Sequence, residues 1–170
     1  MNKRNSSLRG LVPWEEPSLK LHLLSMVDIF RDLSQEEIQE IQGMLDMFTC
    51  KKGHVLYRSE EEAEVLFLLK RGKVEVYSLT AEGKRLTIET IGPGTFFGEM
   101  PLTAQSMHQT FAEAVEDSLL CVLSRWDLER LLLQKPQVAL RLVDSLSRRL
   151  EETRAKLEDA TFRNAAARVC

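Results

Sequence analysis

Residues 65–98 read VLFLLKRGKVEVYSLTAEGKRLTIETIGPGTFFG. The apolar run Val65-Leu66-Phe67-Leu68-Leu69 has no polar alternation, which predicts a strand covered on both faces. Lys70-Arg71-Gly72-Lys73 is a turn, after which Val74, Val76 and Tyr77 resume a strand. Ala81-Glu82-Gly83-Lys84 has hairpin-turn chemistry, Arg85 to Ile91 alternates again, and Gly92-Pro93-Gly94 turns the chain once more. Working outward, Met47–Lys51 and Val55–Tyr57 precede this stretch, and Phe111–Val115 and Ser118–Leu123 follow it with the same period of two. Short strands recurring at roughly ten-residue spacing predict a β sandwich or roll. The fold class is therefore mainly β with flanking α.

The flanking segments carry helix signals. Residues 1–18 are polar, hold Pro13 and Pro17, and read as an arm or loose cover with Trp14 as its pin. Leu19–Met26 is a short amphipathic segment. Ser34 can cap the next helix, Glu37 occupies the reciprocal capping-box position, and Leu33 with Ile38 can form the hydrophobic staple of a helix running to about Leu45. Ser124 and Asp127 repeat the pattern before Leu128, Leu131 and Leu132. Pro136 then disfavours helix at Lys135 and can itself open a new helix.

That new helix, 136–162, contains no Gly and no Pro beyond its first residue. Val143, Leu146, Leu150, Thr153, Leu157 and Ala160 recur at alternating steps of three and four, the seam of a two-stranded coiled coil. With Val143 at position a, Leu150 and Leu157 share a, and Leu146, Thr153 and Ala160 occupy d. Each large apolar seam residue contributes about 1.5–3 kcal/mol on burial, before association costs. A homodimer through this helix is the expectation. Arg149 and Arg154 fall at g and e, where like charges would meet across the seam, so one of them should neutralise acidic residues of the roll or an anionic effector.

Composition bounds the rest. The 170 residues are 44% hydrophobic with a formal net charge of −3, which supports a real core and argues against a basic DNA- or membrane-binding surface. No apolar run approaches the roughly 18 residues of a membrane span. Cys50, Cys121 and Cys170 lack CxxC spacing, so no zinc or iron–sulfur motif is present. Scattered cysteines fit a reducing cytoplasm. Neither a nucleophile–base pair nor a converging His cluster is visible, so no catalytic or metal residues are assigned and the chain reads as a non-enzyme.

Phe96-Phe97-Gly98-Glu99-Met100-Pro101-Leu102 is the stretch most informative about function. A Gly-Glu pair after a strand can turn backbone amides toward an anion, and Glu99 can accept from sugar hydroxyls. The order of Gly72, Gly83, Gly92-Pro93-Gly94 and Gly98-Glu99, together with residues 68–76, 92–99 and Arg148-Arg149-Leu150, resembles the effector domain of the Crp/Fnr family of bacterial transcription regulators. The resemblance implies a cyclic-nucleotide-binding-type β-roll (a double-stranded β-helix or jelly roll) plus a long C-terminal dimerisation helix. It divides the chain into an N-terminal arm (1–18), an effector roll (19–135), the dimerisation helix (136–162), and a hinge with the start of a DNA-binding domain (163–170). DNA would be read only by a winged helix-turn-helix domain beyond this chain.

In cyclic-AMP-binding members of that family, positions matching Gly98, Glu99, Thr110 and Thr153 contact the nucleotide. The candidate pocket here is Gly98, Glu99, Met100, Gln109, Thr110, Thr153 and Arg154. Gln109 stands where an arginine would take the cyclic phosphate. A buried phosphate without its guanidinium forfeits about 2–5 kcal/mol, or roughly 30- to several-thousand-fold in affinity. Gln109 offers one neutral hydrogen bond in place of a charged fork. The effector is thus unassigned: cyclic nucleotide is weakened by Gln109, and haem would have to draw on His22, His54, His108, Cys50 or Cys121, which show no diagnostic spacing. A stand-alone dimeric binding or scaffold module with an emptied nucleotide pocket is the alternative reading.

Overall fold

In the computed structural model, residues 8–14, 16–25, 27–57, 65–98 and 110–169 are described. Among them the elements run β1 (Val12–Pro13), α1 (Pro17–Ser25), a 3-10 turn (Asp28–Phe30), α2 (Gln35–Gln42), β2 (Asp46–Cys50), β3 (Val55–Tyr57), β4 (Val65–Arg71), β5 (Val74–Leu79), β6 (Arg85–Ile91), β7 (Phe96–Phe97), β8 (Phe111–Ala114), β9 (Ser118–Ser124), α3 (Arg125–Gln134) and α4 (Pro136–Val169). Two antiparallel sheets form the roll, one in the order β1-β2-β9-β4-β7 and the other β3-β8-β5-β6.

The continuous apolar runs have a two-sided explanation. β9 sends Leu120 and Val122 into the interior between the sheets, with Phe67, Leu69, Val74, Ile91 and Phe97. Its alternate residues Leu119, Cys121 and Leu123 enter a second core under the helices, with Leu24, Phe30, Ile41, Leu131 and Val138. β4 divides likewise, Leu68 pairing with Cys121 on the helix side. A strand between two dry layers has no face left for polar residues. Lys70, at the end of β4, is partly buried: its Nζ donates to the Leu23 carbonyl of α1, and burial pulls its pKa down to about 8.

The capping signals translate directly. Ser34 Oγ accepts from Glu37 N at 3.2 Å while Glu37 Oε2 accepts from Ser34 N at 2.9 Å, completing the capping box. Ser124 Oγ accepts from Asp127 N at 3.2 Å at the start of α3. Lys135 leaves helical geometry ahead of Pro136, which opens α4.

Three boundaries differ from expectation. α2 ends at Gln42 rather than near Leu45, because Gly43 caps it and Leu45 is drawn into the core. The arm is no loose cover: Val12 and Pro13 pair with Thr49 and Phe48, Trp14 N donates to Met47 O at 2.9 Å, and the indole packs on the helix-side core. Pro13 is tolerated there because β1 is an edge strand. Finally, α4 does not end at 162 with a hinge after it, as expected; it continues through Phe162-Arg163-Asn164 to Val169. No Gly or Pro interrupts that stretch, and the alanines after it favour helix.

Candidate functional site

Gly98 lies at the end of β7, which runs beside β4 with Phe97 opposite Phe67 and Phe96 opposite Leu68. The two phenylalanine rings Phe67 and Phe97 stack at 5.3 Å. Behind Gly98 there is no room for a side chain. A Cβ would stand 2.7 Å from Val65 O, and φ is +133°, a conformation that only glycine enters freely. The backbone at Gly98 is thereby pressed against β4. Glu99, Met100 and Gln109 lie outside the described residues, as does His108.

Thr110, half-buried, leads into β8 on the opposite sheet. Its neighbour Phe111 stacks on Tyr77 at 5.3 Å, and the Arg85 guanidinium covers Tyr77 at 3.7 Å. Arg85 also bonds Glu75 at 3.0 Å and Glu113 at 2.9 Å. So the residues on either side of 99–109 are anchored independently, one on each sheet.

α4 crosses the roll beside this region and is fastened by side chains spaced along it. Lys135 meets Glu37 and Glu40, Arg141 donates to Asp32 at 2.9 Å, and Arg148 to Asp28 at 2.8 Å. Arg149 makes the connection that bears on the site. Its Nε donates to Glu89 Oε1 at 2.8 Å, its Nη2 to Glu89 Oε2, and its Nη1 to the carbonyl of Phe96 at 2.8 Å. Glu89 faces inward because it sits opposite Val76, two residues before buried Ile91. One guanidinium therefore joins the long helix, the β5–β6 hairpin and the strand that delivers Gly98.

Of the two arginines singled out in the sequence, Arg149 is the one on the acidic roll residue; Arg154 is exposed on α4. Thr153, expected at the pocket, is also exposed, and its hydroxyl donates to Arg149 O at 2.8 Å, a bond within the helix itself. Within one chain, then, Thr153 and Arg154 do not enter the roll. Glu89 escaped the sequence reading, since strand alternation reveals its face but not which helix crosses that face. Along the seam, Val143, Leu146, Leu150 and Leu157 are 61%, 47%, 61% and 63% exposed, and Thr153 and Ala160 are exposed with them.

The candidate thiols are of a different kind. Cys50 and Cys121 are buried, and desolvation pushes both pKa values up to about 11, so neither is a thiolate at neutral pH. His22 is exposed on α1. Among the described residues no cluster of His, Cys, Asp and Glu has the makings of a metal site, and no helix is long and apolar enough to cross a membrane.

The roll, the turn at Gly98 and the crossing helix define a cyclic-nucleotide-binding-type domain, and comparison bears this out. Residues 47–135, just over half the chain, match the family model of the cyclic nucleotide-binding domain, and the chain belongs to that family. Relatives include the cyclic AMP receptor protein of Thermus thermophilus, 31% identical over 141 residues, covering 83% of this chain and 65% of that protein. A probable transcriptional regulator of Lacticaseibacillus casei is 28% identical, covering 75% of this chain and 58% of its own length. These relatives are Crp/Fnr-type regulators, of which the chain spans less than two thirds. Among solved structures, the sensor domain of the transcriptional regulator DNR from Pseudomonas aeruginosa superposes with a TM-score of 0.66 at 29% identity, covering 80% of this chain and 91% of that one.

Proposed function

We propose that the chain is the sensory and dimerisation unit of a Crp/Fnr-type transcription regulator, in which α4 carries the state of the roll toward a DNA-binding domain. One observation carries the reading: the helix whose apolar seam lies exposed is bonded through Arg149 to Phe96 O, on the strand that leads into Gly98. A displacement of that strand by an effector has a direct mechanical route into α4. The seam supports a second copy as the occupant of α4, because Val143, Leu146, Leu150 and Leu157 form one apolar stripe at heptad spacing.

The effector is an anion or small polar molecule that does not need an arginine in the phosphate position, since Gln109 replaces it. Two measurements test the proposal. Sedimentation should show a dimer for the unaltered chain and a monomer for the Leu150→Arg, Leu157→Arg double variant; a dimer that survives both changes moves the interface elsewhere. Calorimetric titration with cyclic AMP and cyclic GMP should give dissociation constants weaker than micromolar, and sub-micromolar binding would overturn the weight placed on Gln109.

A further inference from the structure

The N-terminal strap rests on a histidine that has nothing to bond. His54 lies in the turn between β2 and β3, its backbone fixed by His54 N to Lys51 O at 3.1 Å and Ala114 N to His54 O at 2.9 Å. Its imidazole Nε2 is out of contact with solvent and has no hydrogen-bond partner. The arm lies against the same ring. A Cβ on Gly10 would stand 2.6 Å from His54 Cε1 and 3.1 Å from Nδ1, so the Gly10 backbone lies directly on the ring, at φ +82°. On either side of Gly10 the arm is seated: Leu8 and Leu11 pack on the roll interior, and Val12–Pro13 add the edge strand to β2.

The geometry points to a proton-operated latch: the strap Leu8–Trp14 closes over neutral His54 and lifts when that imidazole is protonated. A neutral ring leaves one polar nitrogen unmet in the closed state. A protonated ring turns both nitrogens into donors and adds a charge that this half-buried site leaves partly desolvated, and desolvating a charge costs more than desolvating a dipole. Protonation therefore favours states in which the strap moves off the ring and gives it access to water. Among the described residues, the charged and titratable groups on the neighbouring segments include Arg9 on the arm, Asp46, Cys50, Lys51 and Lys52 in and after β2, Tyr57 on β3, Glu113 on β8 and Glu116 and Asp117 beyond it. Of these acids, Glu113 is engaged by Arg85 and Asp117 by Lys51 Nζ and Lys52 N. Burial holds the His54 pKa below its ordinary 6.5, consistent with a closed state that resists the proton.

The sign of the effect follows. With the closed-state pKa below that of the open state, the closed strap is favoured fully above pH 6.5 and loses that advantage as pH falls through the closed-state value. Over that interval the opening constant rises by up to about tenfold per pH unit, the signature of one linked proton. Release uncovers the β2 edge at Phe48 and Thr49 and the apolar site of Leu11.

Hydrogen exchange of the full chain, corrected for the intrinsic pH dependence of amide exchange, reads the latch. Between pH 7.5 and 5.5, protection of the Leu11, Val12 and Trp14 amides and of residues 47–49 should fall severalfold while the β4 and β9 amides outside that edge stay protected. In His54→Phe the strap should stay closed at both values. Proton NMR of the His54 ring in Gly10→Ala supplies a reciprocal check, because a strap pushed off by the new methyl should let His54 titrate nearer 6.5. Unchanged strap protection in the unaltered chain across the His54 titration overturns the latch. So does acid opening that persists in His54→Phe, or a Gly10→Ala variant in which His54 still titrates as before.

Discussion

Arg149 shows how much of a site one residue can organise. Its three donors reach two oxygens of Glu89 and the Phe96 carbonyl, a fork that lysine lacks the geometry to reproduce. The two side chains are 28% and 34% exposed, so solvent screens the pair in part. A double-mutant cycle with Arg149→Ala and Glu89→Ala, followed by urea unfolding, should return a coupling of about 0.5–1 kcal/mol. A coupling near zero would mean that the fork is incidental. The need for an acidic partner was legible in the sequence, because Arg149 and Arg154 fall where like charges would meet. Which arginine answers it, and that the answer is Glu89, depends on where α4 crosses the roll. Periodicity along a chain carries no such information.

At the scale of elements, local chemistry was readable and continuation was not. The Ser34–Glu37 capping box, the turn at Ala81–Lys84 and the break at Lys135 are each written within a few residues, and each forms as expected. Ser34→Ala should destabilise the protein by about 1 kcal/mol, read from the thermal or urea midpoint, because Glu37 N loses its acceptor. A change indistinguishable from zero would show that α2 is held by Ile38 and Ile41 packing alone. Where an element stops by competition, sequence reading erred: α2 yields Leu45 to the core, and α4 continues past Phe162 because nothing there forbids a helix. Pro13 looked like a loop marker, yet it sits in an edge strand that needs no N–H from it.

Over the whole molecule, carboxylates with lowered pKa values tie the helical flanks to one another and one turn of the roll to the next. Asp32 is held down by Arg141, Glu37 by the Ser34 N–H and then Lys135, and Asp117 by Lys51 and the Lys52 N–H. A carboxylate with a depressed folded-state pKa contributes stability above its ordinary value and loses it as pH falls through the lowered one. The thermal midpoint should therefore decline as pH drops below about 4.5, the highest of the ordinary values involved. Asp32→Asn with Arg141→Gln should flatten part of that decline; an acid profile identical to that of the unaltered protein would assign it to other groups. This global loss sets in below about 4.5, whereas the strap begins to respond below 6.5 and is read locally, so calorimetry and hydrogen exchange report on different events.

What the sequence determined by itself was the roll, its helical flanks, the capping signals and the seam, since all of these follow from periods of two and three-to-four and from side chains bonding their near neighbours. The family that the chain belongs to was likewise readable. Tertiary structure alone decided the rest. It set Arg149 on Glu89 and the Phe96 carbonyl, turned Thr153 outward onto its own helix, and laid Gly10 across His54. The reason is physical: each of these contacts joins residues far apart in the chain, and the sheet register and helix crossing that bring them together are products of the packed core.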